Sequence, residues 1–282
     1  MTFSYATLAQ LQAEDPGEKS TATADLARLV ECGIRATEVI DHLKKFTFAP
    51  LSDSRYYPSA GDDLGAYILM LDQPLMALTA VTLADGSSLT VDTYVRAWPR
   101  SSTPKLWLQI MDSAYTFTTA STTLESVVTV TGMWGWHSDY ANAWELSGDK
   151  ILNTGGITAT ENSITVADAD GISGRGFTPR FSAGNLIRIE SEYLAITATD
   201  TSTQALTVVR GVNGTTAATH AKDTVIYVYY PDDAIVRACQ LIAGRDYDRR
   251  GINTHEETPA ASIPDEAQKI LDSYQFIRMG AA

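Results

Sequence analysis

The chain has 282 residues, of which 44% are hydrophobic and 20% are charged, and 34 acidic against 21 basic residues give a net charge of −13. This length fits one large domain or two to three small ones, and the apolar content is enough for a packed core. The acidic excess is spread along the sequence. It argues against a nucleic-acid-binding protein, which needs a basic face to neutralise phosphates.

The sequence predicts neither a secretory signal nor a membrane-spanning segment. The N-terminus has neither the basic start nor the apolar stretch of a secretory signal. The longest apolar run, residues 67–83, is interrupted at Asp72, whereas a membrane span needs about 20 uninterrupted apolar residues. Two cysteines, Cys32 and Cys239, are too few for a disulfide framework. We therefore expect a soluble protein that is made in the cytoplasm and has no membrane contact.

Helices are predicted near both ends of the chain. Apolar side chains recur at three- and four-residue steps through residues 21–46, which is typical of one buried helical face. A shorter helix is expected at 5–14. Further helices are predicted at 232–249, where two aspartates favour a helix start, and at 264–276.

The middle of the chain changes to a period near two, which indicates strands. In the first part, Asp85-Gly86 predicts a hairpin turn between 79–83 and 89–94. The strands expected here are 67–71, 77–83, 106–110 and 127–130. Residues 155–230 are rich in Thr, Ala, Gly and Val, and five short strands are expected at 163–167, 186–190, 193–197, 205–210 and 224–229. Five strands at this spacing suggest a small sandwich or barrel.

These elements predict an α+β protein. Residues 1–50 with 231–282 are expected to form a helical core. Residues 51–150 are expected to form a central antiparallel β region, and 151–230 an inserted small β-sandwich or barrel.

The sequence contains no recognisable catalytic motif. The four histidines lack the spacing of metal ligands, and no nucleophile elbow, phosphate loop or dinucleotide glycine pattern occurs. The histidines are His42, His137, His220 and His255. We therefore expect a protein without enzymatic activity, metal or cofactor.

An aromatic segment is the main candidate for recognition. It contains Trp134, Trp136, His137, Tyr140 and Trp144. Such clusters occur in cores, in sugar-binding platforms and as anchors of protein interfaces, and the sequence leaves these three roles open.

The order of segments resembles the head–tail connector (adaptor) proteins of tailed bacteriophages. The long helix ends near 46–50 and is followed by Ser54-Arg55-Tyr56-Tyr57, then by residues 71–81 and the Asp85-Gly86 turn. Thr131-Gly132-Met133-Trp134-Gly135-Trp136-His137 is similar to a Gly-x-Trp-Gly-aromatic stretch of that family. The helix at 232–249 and Ile263-Pro264 with the last helix complete the pattern. Residues 183–193 and 210–220 are similar to a β module of phage structural proteins, in which Asn213-Gly214 supplies a tight turn.

The resemblance implies a structural virion protein at the neck. Such adaptors form a dodecameric ring beneath the portal protein, extend the DNA channel without binding DNA specifically, and dock a stopper or tail-completion protein. The C-terminal segment is more apolar than a free chain end usually is. Its side chains either cap the helical core or, as the resemblance implies, contact the portal, and the portal-contact hypothesis names Tyr274, Phe276, Ile277, Arg278 and Met279. The alternative is a phage carbohydrate-binding or host-recognition module that uses the aromatic segment and the β insert.

Overall fold

A computed structural model describes residues 3–14, 23–59, 65–118, 127–248 and 263–276. The described residues form helices and two antiparallel sheets, which confirms the mixed α+β class. They fall into two compact units. One holds Met1–Lys45 with Asn142–Tyr274, and the other holds Phe46–Ala141 with Gln275–Ala282.

Four α-helices belong to the first unit: α1 (Leu8–Glu14), α2 (Thr23–Lys44), α3 (Asp233–Asp248) and α4 (Asp265–Asp272). Each lies inside a predicted range, and α1 and α4 are shorter than predicted. The apolar side chains of α2 are buried at helical spacing against α3, and α3 also packs against α4. The buried positions of α2 are Leu29, Cys32, Ala36, Thr37 and Ile40.

Polar contacts fasten the helices to one another. Arg35 of α2 pairs with Asp246 of α3 at 2.8 Å, and the Lys44 amine donates to the backbone oxygen of Leu271 in α4 at 2.9 Å. The two segments from opposite ends of the chain therefore share one helical layer.

The second unit contains the first sheet. Its strands are β1 (Leu51–Pro58), β2 (Ile68–Thr82), β3 (Ser88–Leu89), β4 (Val95–Trp98), β5 (Lys105–Ile110) and β6 (Val127–Trp134), in the order β1-β6-β2-β5-β4 with β3 beside β2. The predicted Asp85-Gly86 hairpin is confirmed, because Gly86 has φ +88° and donates its N–H to the Leu83 oxygen at 2.9 Å. Its second strand is only two residues long, however, and β4 follows separately.

The second sheet belongs to the first unit. Its strands are β7 (Trp144–Lys150), β8 (Ser163–Thr165), β9 (Leu186–Ile189), β10 (Glu192–Asp200), β11 (Ala205–Val209) and β12 (Val225–Tyr229), in the order β7-β12-β9-β10-β11-β8. All five strands predicted in residues 155–230 are confirmed. The Leu152 N–H donates to the Thr165 oxygen at 2.8 Å, so the chain beyond β7 meets the opposite edge strand β8 and the sheet curls around an apolar core.

The structure corrects the expected boundaries of the second sheet. It begins at Trp144 rather than near 151, because β7 pairs with β12 from Trp144–Tyr229 to Lys150–Val225. The helices share a compact unit with this sheet instead of standing apart from it. Backbone bonds explain the association: the N–H of Ser4 donates to the Gly184 oxygen at 3.1 Å, and that of Leu8 to the Ala183 oxygen at 2.9 Å.

Candidate functional site

The aromatic segment does not form one surface. Trp134, at the end of β6, is fully buried, and its indole N–H donates to the Asp53 backbone oxygen at 3.1 Å. The Arg55 guanidinium lies 4.2 Å from the centre of its ring. Trp134 is therefore a core residue and cannot act as a sugar platform, because a stacked sugar needs an open ring face.

Glycines set the spacing of this segment. A side chain at Gly132 would place its Cβ 2.4 Å from the Ala77 backbone oxygen, and one at Gly135 would lie 2.7 Å from the Ala49 oxygen. Gly135 also has φ +133°, which side-chain-bearing residues rarely adopt. The Gly-x-Trp-Gly pattern is thus explained by close backbone packing around the buried Trp134.

The next three residues of the segment are partly or wholly covered. Trp136 stacks on Phe46 with ring centres 5.6 Å apart. His137 is buried, and its Nδ1 accepts the Asp139 N–H at 2.9 Å. Tyr140 begins a short 3₁₀ turn (Tyr140–Asn142) and is partly buried. These contacts favour a packing role for this part of the segment.

Trp144 belongs to the other compact unit, at the start of β7 in the second sheet. Its ring contacts Tyr193 and Tyr229, with centres 5.0 and 5.1 Å away, and the Arg188 guanidinium lies 4.9 Å from it. The structure therefore divides the predicted aromatic group between its two compact units.

The predicted portal contact is described only in part. Tyr274 and Phe276 are both partly buried, whereas Ile277, Arg278 and Met279 lie outside the described residues. Burial, together with the neighbouring Asp232 carboxylate that it hydrogen-bonds, raises the pKa of Tyr274 to about 12. This contact places the end of the last helix beside the start of α3.

The second sheet contains a buried ionic network that no sequence pattern predicts. The Glu192 side chain is fully buried, and the Arg210 guanidinium donates to both of its oxygens at 2.7 Å, through Nε and one terminal nitrogen. The backbone N–H groups of Gly211 and Ala218 each donate to the same carboxylate at 3.0 Å. Arg210 also donates to the backbone oxygens of Thr158, Glu161 and Ala218 at 2.6–2.7 Å.

His220 extends this network toward the surface. Its Nε2 lies 2.8 Å from Glu192 and its Nδ1 2.7 Å from the exposed carboxylate of Glu190. Both distances are within hydrogen-bond range, so the His220 ring bridges the buried carboxylate and the exposed one. Despite the desolvation that opposes it, hydrogen bonding from Arg210, Ala218 and His220 lowers the pKa of Glu192 to about 2.

The network explains the motif at residues 210–220. Asn213 and Gly214 both have positive φ, at +51° and +77°, and the Thr215 N–H donates to the Val212 oxygen at 3.2 Å. The predicted Asn-Gly turn is thus confirmed, and it returns the chain so that Ala218 and His220 reach Glu192. Arg210, Gly211 and His220 of this motif therefore hold the loop at 211–220 against the sheet by binding Glu192.

A cavity of about 390 Å³ lies within the first unit, between the N-terminal segment, the loop around 173–186 and the start of α3. Its walls include the buried rings of Phe3, Tyr5 and Tyr229. Some polar groups of its lining bond to other parts of the chain. Ala9 donates its N–H to Ser182, and Arg175 pairs with Glu145 at 2.5 Å. The cavity is therefore lined by both apolar rings and polar side chains.

Comparison with known proteins gives no relative: no protein-family description, curated protein or solved structure matches the chain. Across the residues that the structure describes, no three His, Cys, Asp or Glu side chains are grouped as metal ligands would be. Of the helices described, none combines the length and the apolarity that crossing a bilayer requires.

Proposed function

We propose that the protein is a structural component of a tailed-phage virion, an adaptor that forms a ring beneath the portal protein at the head–tail interface. A dodecameric ring would extend the DNA channel, let DNA pass without specific binding, and dock a stopper or tail-completion protein. Helices from both ends of the chain form the body of the adaptor, and the second sheet is the phage-type β module added to it.

The observation that carries this proposal is the amount of apolar surface on the outside of the described chain. Eleven large hydrophobic side chains are each more than a third exposed. They occur on α2, on or beside strands of both sheets and on the loop at 172–177: Val39, Leu43, Tyr56, Tyr67, Ile68, Met111, Leu146, Ile172, Phe177, Val209 and Val225. Two pairs among them are neighbours: Val39 and Leu43 are one turn apart on α2, and Leu146 and Val225 lie on the paired strands β7 and β12. Contiguous exposed apolar surface is typical of proteins that assemble with others.

The C-terminal anchoring of α4 supports the portal contact. Tyr274 is held beside Asp232, and Lys44 binds the last turn of α4 through Leu271. The end of α4 is thus fixed on the helical layer. The apolar character of the residues that follow, with Ile277 and Met279 around Arg278, suits an anchor for a partner.

The alternative, recognition of a host glycan, is favoured by one observation. Trp98 and Trp107 are paired across β4 and β5, and their rings lie parallel within 5° with centres 6.5 Å apart. Both are partly exposed and lie on the face opposite the buried Leu108. A glycan-binding role would therefore use this pair rather than Trp134, and Trp107→Ala would abolish retention on host cell envelopes.

Co-sedimentation with the portal protein of the same phage tests the adaptor function. The full chain should sediment with portal rings and appear as a ring beneath them in electron micrographs. A chain truncated after Phe276 should remain folded by circular dichroism and lose this binding. The matched control exchanges Ala281 and Ala282 for Ser and should bind normally. Absence of the full chain from portal rings would refute the adaptor function, and undiminished binding of the folded truncated chain would refute the tail anchor.

A further inference from the structure

The cavity of the first unit has an aromatic ring where it meets solvent. Phe177 lines the cavity and is 49% exposed, and its ring centre lies 6.5 Å from that of Tyr230. The rings of Phe3, Tyr5 and Tyr229, which also line it, are only 1–2% exposed. Its volume of about 390 Å³ falls within the range of about 300–1,000 Å³ that is typical of ligand sites. The cavity therefore has an apolar interior and one accessible ring at its edge.

One side chain of the lining has an unused hydrogen-bond donor. Asn185 is 8% exposed, and its amide oxygen accepts the Ser182 N–H at 2.8 Å, which fixes the orientation of the amide. Its amide nitrogen carries two N–H groups and has no acceptor in the part of the chain that the structure describes. The side-chain atoms that are fully enclosed without a partner do not include this nitrogen, so a group in the cavity can reach it. The site therefore fits a ligand that brings an acceptor.

The charged side chains of the lining are already paired within the chain. Each of the four contacts a group of opposite charge. The pairs are Arg175 with Glu145 and Asp233, Arg180 with Asp149, and Glu14 with Arg237. An ionic ligand would have to displace one of these partners, so the cavity favours an uncharged ligand.

The lining also distinguishes between classes of ligand. A nucleic acid needs cations for its phosphates, and both arginines of the lining are held by carboxylates. A glycan stacks on open aromatic faces, but the deep rings are enclosed and the Arg175 guanidinium lies 4.3 Å from the centre of the Tyr230 ring. A peptide supplies a carbonyl acceptor, and an aromatic side chain on it can fill a pocket as an interface anchor does. The lining therefore favours a peptide.

We propose that this cavity binds an uncharged peptide segment of a partner protein. The segment places an aromatic side chain beside Phe177, and one of its backbone carbonyls accepts an N–H of the Asn185 amide. All the lining residues belong to one compact unit, so a single chain carries the whole site. The inference goes beyond the proposed adaptor function and does not depend on a ring.

Titration of the purified full chain with the blocked tripeptide N-acetyl-Ala-Phe-Ala-amide tests the site, with saturation-transfer NMR as the readout. Asn185→Asp keeps the oxygen that accepts the Ser182 N–H and removes the donor, so it should weaken binding about fivefold. Phe177→Ala should weaken binding about tenfold, and it guards against misfolding because this ring is half exposed. Ile172→Ala is the matched control, since this side chain is 65% exposed and lies outside the lining, and it should bind like the wild type.

Two further probes separate the classes of ligand. The same tripeptide with glutamate in place of phenylalanine, and methyl glucoside, should each bind at least tenfold more weakly. Weaker binding by both folded variants, with the control unchanged, would support the proposal. No binding of the phenylalanine peptide, equal binding by the wild type and both variants, or tighter binding of the charged peptide or the sugar would overturn it. Sedimentation with portal rings tests the adaptor function separately, so the failure of one proposal leaves the other standing.

Discussion

The stability of the second sheet should depend on the charge of the buried Glu192 carboxylate. Glu192→Gln keeps the shape of the side chain but removes its charge. Five hydrogen bonds converge on the carboxylate, two from Arg210 and one each from Gly211, Ala218 and His220. The amide would turn an N–H₂ group toward some of these donors and leave the buried Arg210 uncompensated.

The expected loss follows from two independent estimates. A carboxyl pKa lowered from 4.5 to about 2 corresponds to about 3 kcal/mol in favour of the ionised form. Removing one partner of a buried ion pair costs about 3–5 kcal/mol. Glu192→Gln should therefore destabilise the first unit by about 3–5 kcal/mol at pH 7. Because the pKa is lowered on folding, this stabilisation is fully present above pH 4.5 and is lost as the pH falls toward 2.

Hydrogen exchange in residues 183–220 is the appropriate assay, since a chain of two compact units need not unfold in one step. At pH 7 the variant should show faster exchange there than the wild type, and the difference should shrink between pH 4.5 and 2. Glu190→Gln is the matched control, because its carboxylate is 60% exposed and its loss should cost no more than about 1 kcal/mol. Equal protection of Glu192→Gln and wild type at pH 7 would refute the stabilising role of the network.

Further predictions concern packing and thiol reactivity. Gly132→Ala should lower the stability of the first sheet by at least about 2 kcal/mol in urea titrations, since its Cβ would meet a backbone oxygen, whereas Gly86→Ala should cost only about 1 kcal/mol because its surroundings are open. Trp134→Ala should cost about 3–5 kcal/mol by the same assay, and a loss below 1 kcal/mol would contradict its burial. Burial raises the pKa of Cys32 to about 11 and also raises that of Cys239, so Ellman's reagent at pH 8 should label neither thiol until urea unfolds the chain.

The strength of each sequence pattern explains what could be predicted. Helix α2 and the strands β8–β12 were found because their apolar residues repeat at the helical or strand period. Strand β1 was missed because only Tyr57 of its eight residues is buried, so no alternation appears. Strand β7 was missed because its buried positions are the polar Ser147 and Asp149, which resemble a loop.

The candidate sites show a second limit of sequence reasoning. The turn at Asn213-Gly214 could be predicted because local backbone geometry requires those residue types. The ion pair of Glu192 with Arg210 and the aromatic setting of Arg188 join residues on different strands, and a single sequence contains no record of that pairing. The same reason explains why Trp134 and Trp144 were grouped by proximity in the chain although they belong to different units.

The way the first unit is assembled from distant segments bears on the order in which the protein folds during synthesis. The strands of the first sheet all lie between Leu51 and Trp134, so this sheet can form as soon as that stretch has left the ribosome. The N-terminal residues can form their contacts only after much later parts of the chain have been synthesised. The Ser4 hydroxyl contacts the Cys239 sulfur, 235 residues away in the sequence, and the Ser4 N–H donates to the Gly184 backbone oxygen. Because α2 packs against α3, its apolar side chains would stay uncovered until residues 233–248 have been synthesised, and chaperone binding to the nascent chain should concentrate there.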